Sequence, residues 1–417
     1  MSRPAPRDPN LRHNITVNLL DGGFFGFALG MASSITVIPL FVSSLTGSAV
    51  LIGLIGTIRA IGWQLPQIFT AQRVARLKRF KPAVLRGTLH ERVPFLFLAL
   101  LAWNTPRLDR RVALALTFAL LIWHGLGGGI TAVAWQSMIG RIIPPRRRGI
   151  FFGMQAAAAN LLMGVGAVLA GQILERISGV RGFAWCFGIA AGLMAVSYTF
   201  LGMTREAERR VPAEAHSPPP LGRQALRILR ADRSFRRFLV VRGVFPFALV
   251  GLNFYTVHAA QQLGADGITL GWLTAAFSVI QVVSNPLMGW LGDRLGYPLA
   301  LGVGTLSAAG SAAFAWLAPS AGWMFPAYLL AGLANATAWP LALAMTLTYG
   351  TPAEQPTYIG LANTLIAPAS LLAPLLGGWL ADAWGYRAAF VVALAGSLAI
   401  LPLLRGLGEA GNPEPPG

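Results

Sequence analysis

Long apolar runs separated by short polar segments dominate the chain. Twelve of them are long enough to matter: approximately 15–41, 49–71, 84–104, 112–138, 150–175, 182–202, 236–258, 268–291, 298–318, 322–348, 357–381 and 386–405. A helix rises 1.5 Å per residue, so roughly 20 apolar residues cross the ~30 Å hydrocarbon layer of a bilayer. Membrane β-strands would instead give alternating segments of about ten residues, which the chain does not show. The pattern therefore predicts an all-α integral membrane protein with twelve transmembrane helices.

Composition supports that reading. The chain is 55% hydrophobic and 12% charged, with a mean hydropathy of +0.59, whereas soluble domains carry about 25% charged residues. Its net charge of +18 would suggest a nucleic-acid partner in a soluble protein. Here most basic residues sit between apolar runs, so no nucleic-acid partner is expected and the bilayer is the implied surrounding. The one cysteine, Cys186, lies in an apolar run and has no partner for an intramolecular disulfide. The first apolar run is too long for the h-region of a cleavable signal.

Lys and Arg fix the orientation. With the N-terminus inside, 23 of the 33 basic residues fall in cytoplasmic segments and six outside (Arg107, Arg110, Arg111, Arg176, Arg181 and Arg387). The expected organisation is a cytoplasmic tail 1–14, a six-helix bundle 15–202, a cytoplasmic linker 203–235, a second six-helix bundle 236–405 and a cytoplasmic tail 406–417. The linker contains Ser217-Pro-Pro-Pro220, and Leu221 to Arg230 has the basic, amphipathic character of a helix lying on the inner leaflet. Glycine, proline and glutamate after Arg405 predict a disordered tail.

The two halves are copies. At an offset of 207, Gly153 matches Gly360, Gly171 matches Gly378, Glu175 stands at Asp382 and Phe183 at Phe390, without a gap. At an offset of 204, Leu126–Trp135 reads against Leu330–Trp339 with five identities in ten. Such duplication makes the two bundles pseudo-symmetric.

Twelve spans, six plus six, and a long basic middle loop resemble the major facilitator superfamily of secondary transporters. The most specific local match is Gly289-Trp-Leu-Gly-Asp293-Arg294-Leu-Gly296 after the eighth span, similar to that family's G-x-L-x-D-R-x-G loop. Its glycines permit a tight turn, and its Asp can cap a helix N-terminus or pair with an Arg. The resemblance implies that this loop helps latch the cytoplasmic side shut. In the first half Arg73 stands where the Asp would be, so the latch is expected to be asymmetric. Ala373-Pro374-Leu-Leu-Gly377-Gly378 is loosely similar to the antiporters' helix-bending motif, whereas Gly164 to Gly171 in the fifth span lacks the proline. The fourth span also lacks the intramembrane Arg typical of drug–proton antiporters.

Ionisable side chains in hydrocarbon need a partner or a purpose. Asp21 in the first span is a candidate proton-coupling carboxylate; alternatively, Asn18-Leu-Leu-Asp21 has capping-box spacing and Asp21 caps the helix. Arg59 in the second span pairs with Asp21, binds an anionic substrate group, or forms another structural ion pair. Glu91 and Arg92 in the third span read as structural, each pairing with a neighbouring helix, unless Arg92 snorkels to the interface.

His124, Gly128, Thr131 and Trp135 share one face of the fourth span. Asn335 and Trp339 occupy the positions matching Thr131 and Trp135. These side chains suit a central cavity, which the resemblance would line with the first, fourth, seventh and tenth spans; packing or interface roles suit both Trp equally well. Asn253 is a cavity candidate whose commoner fate is an interhelical hydrogen bond, and His258 is expected at the outer interface. His90, His124 and His258 are scattered and offer no metal cluster, and no phosphate loop or catalytic triad appears, so neither enzyme activity nor a cofactor is expected. The resemblance implies a monomeric inner-membrane transporter of a small organic molecule, drawing on an ion gradient, with protons the expected coupling ion. Efflux is the favoured direction and proton-coupled uptake the alternative; a transporter-like sensor or scaffold is the reading from another class.

Overall fold

The computed structural model describes residues 9–34, 36–209, 220–405 and 407. Arg3, Arg7, Ser217 to Pro219 and the tail from 408 lie outside the described residues. Eighteen α-helices and no strand occur among the described residues.

By internal contacts the chain forms two units, 1–144 with 158–212, and 145–157 with 213–417. The first contains α1 (Leu11–Met31), α2 (Val37–Leu45), α3 (Ala49–Gln64), α4 (Pro66–Ala75), α5 (Lys81–Asn104), α6 (Arg110–Ile142), most of α7 (Arg148–Arg176) and α8 (Val180–Gly202). The second contains α9 (Leu221–Ala231), α10 (Arg233–Ala248), α11 (Leu252–Gln261), α12 (Gly267–Leu295), α13 (Tyr297–Leu317), α14 (Met324–Ala338), α15 (Pro340–Thr346), α16 (Gln355–Thr364), α17 (Ala367–Trp384) and α18 (Tyr386–Leu404). The first ten residues of α7 group with the second unit.

The twelve apolar runs became helical, several of them in two pieces. Eight helical stretches are long and apolar enough to cross a membrane by length and composition. Breaks fall where local chemistry demands them. Pro66 opens α4, Pro340 opens α15 and Pro368 lies in the first turn of α17, positions where the missing N–H is not needed. Between α10 and α11, Pro246 leaves the ladder short of a donor and the chain turns through Leu249, Val250 and Gly251. Asp109, Asp232 and Asp266 cap α6, α10 and α12, each accepting backbone N–H bonds, the usual role of a short acidic side chain there.

The helix predicted over Leu221 to Arg230 is present as α9. It buries Gln224 and Ile228 and exposes Arg223, Leu226, Arg227 and Arg230. Arg227 pairs with Glu354 at 2.6 Å.

Within the first unit Phe41, Phe95 and Phe187 anchor an apolar core; within the second, Tyr255, Tyr328 and Phe390 do so. Small residues set the helix approach. A Cβ added to Gly30 of α1 would lie 2.1 Å from the Met163 carbonyl oxygen of α7, so only glycine permits that backbone contact.

Candidate functional site

Three ionisable residues of the first unit meet in its interior. Asp21 lies in the middle of α1, and its Oδ1 accepts from Arg92 Nη2 of α5 at 2.9 Å and from Ser197 Oγ of α8 at 2.6 Å. Arg92 also donates to Ser197 Oγ at 2.8 Å and stacks over the Phe25 ring at 5.0 Å. On its other side Arg92 Nη1 stands 3.7 Å from Glu91 Oε2, which Thr88 Oγ1 approaches at 3.4 Å. The Arg92 and Asp21 side chains are 8% and 7% exposed, so water contributes little to either charge. Two carboxylates thus share one guanidinium. With both ionised the trio carries one net negative charge, and a single proton neutralises it.

Three sequence expectations are corrected here. Asp21 is no cap: α1 starts ten residues earlier, at Leu11, because the Asn14 and Asn18 amides donate to the Arg205 carbonyl and the Thr204 hydroxyl and so find partners away from water. Its partner is Arg92 rather than Arg59. Nor does Arg92 snorkel; Asp21 and Ser197 hold it in the protein interior.

Arg59 has a different setting. Its Nη1 donates to Ser34 Oγ at 2.8 Å, and no carboxylate among the described residues lies within 4.0 Å of it. It lines a cleft of about 50 Å³ with Ser33, Ser34 and His124, the remaining wall being apolar, including Ile58, Phe95 and Leu121. His124 Nδ1 lies 2.7 Å from the Glu91 carbonyl oxygen. A carbonyl only accepts, so Nδ1 carries the hydrogen and Nε2 of the neutral ring is an acceptor. The Phe95 ring meets the imidazole edge-on at 4.9 Å.

The rest of the expected face on α6 turns toward α5. A Cβ at Gly128 would meet Glu91 Oε1 at 3.0 Å, and one at Gly87 would meet Thr131 Oγ1 at 2.7 Å. Thr131 is buried and bonds its own helix at the Gly127 carbonyl. Trp135 is half-buried.

In the second unit Asp293 accepts from the backbone N–H groups of Gly149 and Ile150, at 2.8 Å each, and from Tyr297 Oη at 2.9 Å. It therefore caps the first turn of α7, where the helix dipole favours a carboxylate. Gly289 makes that approach possible, since a Cβ there would lie 2.2 Å from the Gly149 carbonyl oxygen. Gly296 has φ +98°, a conformation that side chains disfavour, and Arg294 is exposed. In the first unit Arg73 is exposed at the corresponding place. There Glu206 accepts from the Phe80 and Lys81 N–H groups at 3.0 and 2.7 Å, and Arg209 donates to the Ala75 and Leu77 carbonyls.

Asn335 donates to Gln281 Oε1 of α12 at 2.9 Å, and Trp339 is 46% exposed beside the α14–α15 break. Asn253 is exposed, with no side-chain hydrogen bond among the described residues, so the expected interhelical bond is not formed. His258, three residues before the end of α11, is fully buried between Tyr386 and Phe390, its ring packed edge-on against both aromatics. Pro374 lies inside α17; Gly377 packs where a Cβ would meet Val250 at 2.4 Å, and Gly378 faces open space. Buried Arg242 donates to the Ala362 carbonyl and Asn363 Oδ1.

Sequence reasoning missed Ser34, Ser197, Gln281 and Glu206. The serines give no signal, because isolated serines are common in membrane helices. Glu206, four residues beyond the sixth span, could have been suspected as a cap for a neighbouring helix.

A family model described as Major Facilitator Superfamily matches residues 20–258 and 243–417. Among curated proteins, the chain is 33% identical over 156 residues to the probable vesicular acetylcholine transporter-B of Danio rerio, covering 37% of this chain and 31% of that protein. It is 27% identical over 376 residues to an uncharacterized protein of Mycobacterium tuberculosis, covering 86% and 70%. Among solved structures, the human organic anion transporter MFSD10 superposes with a TM-score of 0.70 at 16% identity, covering 95% of this chain and 100% of that one.

Proposed function

Since the chain belongs to the Major Facilitator Superfamily, we propose that it is a proton-coupled secondary transporter exporting a small organic molecule across the inner membrane, with both termini cytoplasmic. The observation that carries the coupling is the Asp21–Arg92–Glu91 cluster. Its charge changes from −1 to zero on binding one proton, and the two charge states favour different arrangements of α1, α5 and α8. Alternating access needs a free-energy difference between states that ligand and proton each bias, and a buried cluster of odd charge supplies one. Asp21 is the coupling carboxylate, Arg92 its counter-ion, and Glu91 the second acceptor that makes the charge odd.

Asp293 capping the first turn of α7 acts as the cytoplasmic latch in this reading, with Glu206 and Arg209 bracing the first-half loop that lacks an acidic residue. The Pro374–Gly377–Gly378 motif, loosely similar to the antiporters' helix-bending motif, supports export, with Gly377 packed against Val250 in the α10–α11 break. The bilayer, the solute and protons are the working partners of a monomer.

Direction is tested in proteoliposomes with an imposed pH gradient and a radiolabelled organic solute. Export by exchange predicts that the solute accumulates in the more acidic compartment, against the flow of protons. Accumulation in the more alkaline compartment would replace exchange with cotransport, and solute that only equilibrates would remove proton coupling.

A further inference from the structure

We infer that the cleft in the first unit is the binding site for the carboxylate of an amphipathic organic acid, with Arg59 as its counter-charge. The inference deepens the transport reading, which it presupposes only for the fate of the ligand. Two arginines in one helical bundle are held in contrasting ways. Arg92 is enclosed and matched by Asp21 and Glu91. Those carboxylates are the ones its helices place nearby, and both stand on Arg92. Arg59 has only a serine hydroxyl.

A guanidinium carries five N–H donors in a planar fork. One is taken by Ser34, so a fork suited to bidentate carboxylate recognition remains available on the cleft side. Arg59 is exposed; where it faces hydrocarbon rather than water, a cation without a carboxylate is costly, and an anionic ligand relieves that cost when it binds. A cationic ligand would add to it.

The cleft wall narrows the class further. Eight of its twelve lining residues are apolar, among them Leu29, Ile55 and Met163. A small inorganic anion would leave those surfaces without a partner, whereas the hydrocarbon or aromatic body of an amphipathic acid can lie along them from the cleft mouth. The Phe95 ring and the apolar side chains of α1, α3 and α7 would take that body, while Arg59 and Ser34 take the charged end. His124 Nε2, an acceptor in the neutral ring, can receive a hydroxyl or N–H carried by the ligand.

The cleft also backs onto the charged cluster, because His124 donates to the Glu91 backbone and Gly128 lies against the Glu91 carboxylate. An anion arriving at Arg59 therefore raises the local negative potential close to the proton site.

The test uses purified full-length protein in nanodiscs and three soluble probes with one aromatic body: phenylacetate, phenylacetamide and phenethylamine. Binding is read by calorimetry, with empty nanodiscs as the blank. Wild type should bind the acid about tenfold or more tightly than the amide or the amine, the scale expected for a charge-assisted bidentate contact. Arg59→Gln should lose that preference, Arg59→Lys should keep part of it, and Ser34→Ala should weaken the acid modestly. A wild type with no preference for the acid overturns the proposal, whether or not Arg59→Gln folds. So does an Arg59→Gln protein that binds the acid as wild type does. Acid binding that depends on Arg59, without any flux of the acid in vesicles, would uphold this site and count against the transport reading instead.

Discussion

Replacing Arg92 by Met should expose how the charged cluster is held together. Arg92 makes contacts of 2.9 Å to Asp21, 2.8 Å to Ser197 and 3.7 Å to Glu91, and methionine fills a comparable volume while removing all three. Two magnitudes compete. If the two interhelical contacts, to Asp21 and Ser197, act only as hydrogen bonds, membrane-protein values of about 0.6 kcal/mol each put the loss near 1 kcal/mol. If Arg92 neutralises buried carboxylates, its removal leaves them unmatched and the loss is about 3–5 kcal/mol. With Asp21 and Arg92 side chains 7% and 8% exposed, screening is weak and the larger figure applies. Protons can substitute for the missing cation, so the loss should shrink as pH falls and grow as pH rises. The assay is the denaturant unfolding curve of purified protein in mild detergent, followed by tryptophan fluorescence near neutral pH and at about pH 5. The double variant Asp21→Asn with Arg92→Met should recover part of the loss, because one of the stranded charges is gone. A loss near 1 kcal/mol that ignores pH, or a double variant no better than Arg92→Met alone, would refute the charge-matching argument.

Two further outcomes follow from local geometry. Asp293→Ala removes two N–H acceptors at 2.8 Å from the first turn of α7; at about 0.5–2 kcal/mol for a lost cap, amide exchange at Gly149 and Ile150 should quicken roughly two- to thirtyfold, and unchanged exchange would dismiss the cap. Gly30→Val places a side chain against the Met163 carbonyl, 2.1 Å from the new Cβ, and should lower stability by about 1–3 kcal/mol. Gly164→Ala, which meets open space, should leave the same unfolding midpoint unmoved.

How much of this was written in the sequence follows from what each pattern constrains. The spans were legible because crossing hydrocarbon demands about 20 apolar residues whatever the neighbours are. Asp293 was legible because glycines at fixed spacing and an acid at a helix end define a local geometry. The Asp21–Arg92 pair was not. Hydropathy places a residue at a depth but does not fix the rotation of its helix, and Arg59 and Arg92 were equally possible partners on that ground. The early start of α1 was hidden for a related reason: Asn14 and Asn18 look like loop residues until Thr204 and Arg205, some 190 positions away, supply their partners. The helix breaks at Pro66, Pro340 and Gly251 were visible as residues, but proline also sits unbroken inside α5 at Pro94 and α12 at Pro286. Tertiary packing decides which of them interrupts the helix.

The measurement closest to the central claim is the internal pH of proteoliposomes when a transported solute is added, with wild type and Asp21→Asn side by side. Asn keeps the volume and the hydrogen bonds to Arg92 and Ser197 but cannot carry a proton. Proton movement in wild type, and its loss in Asp21→Asn while the solute still exchanges down its own gradient, is the expected result. Equal proton movement in both proteins would contradict coupling through this cluster.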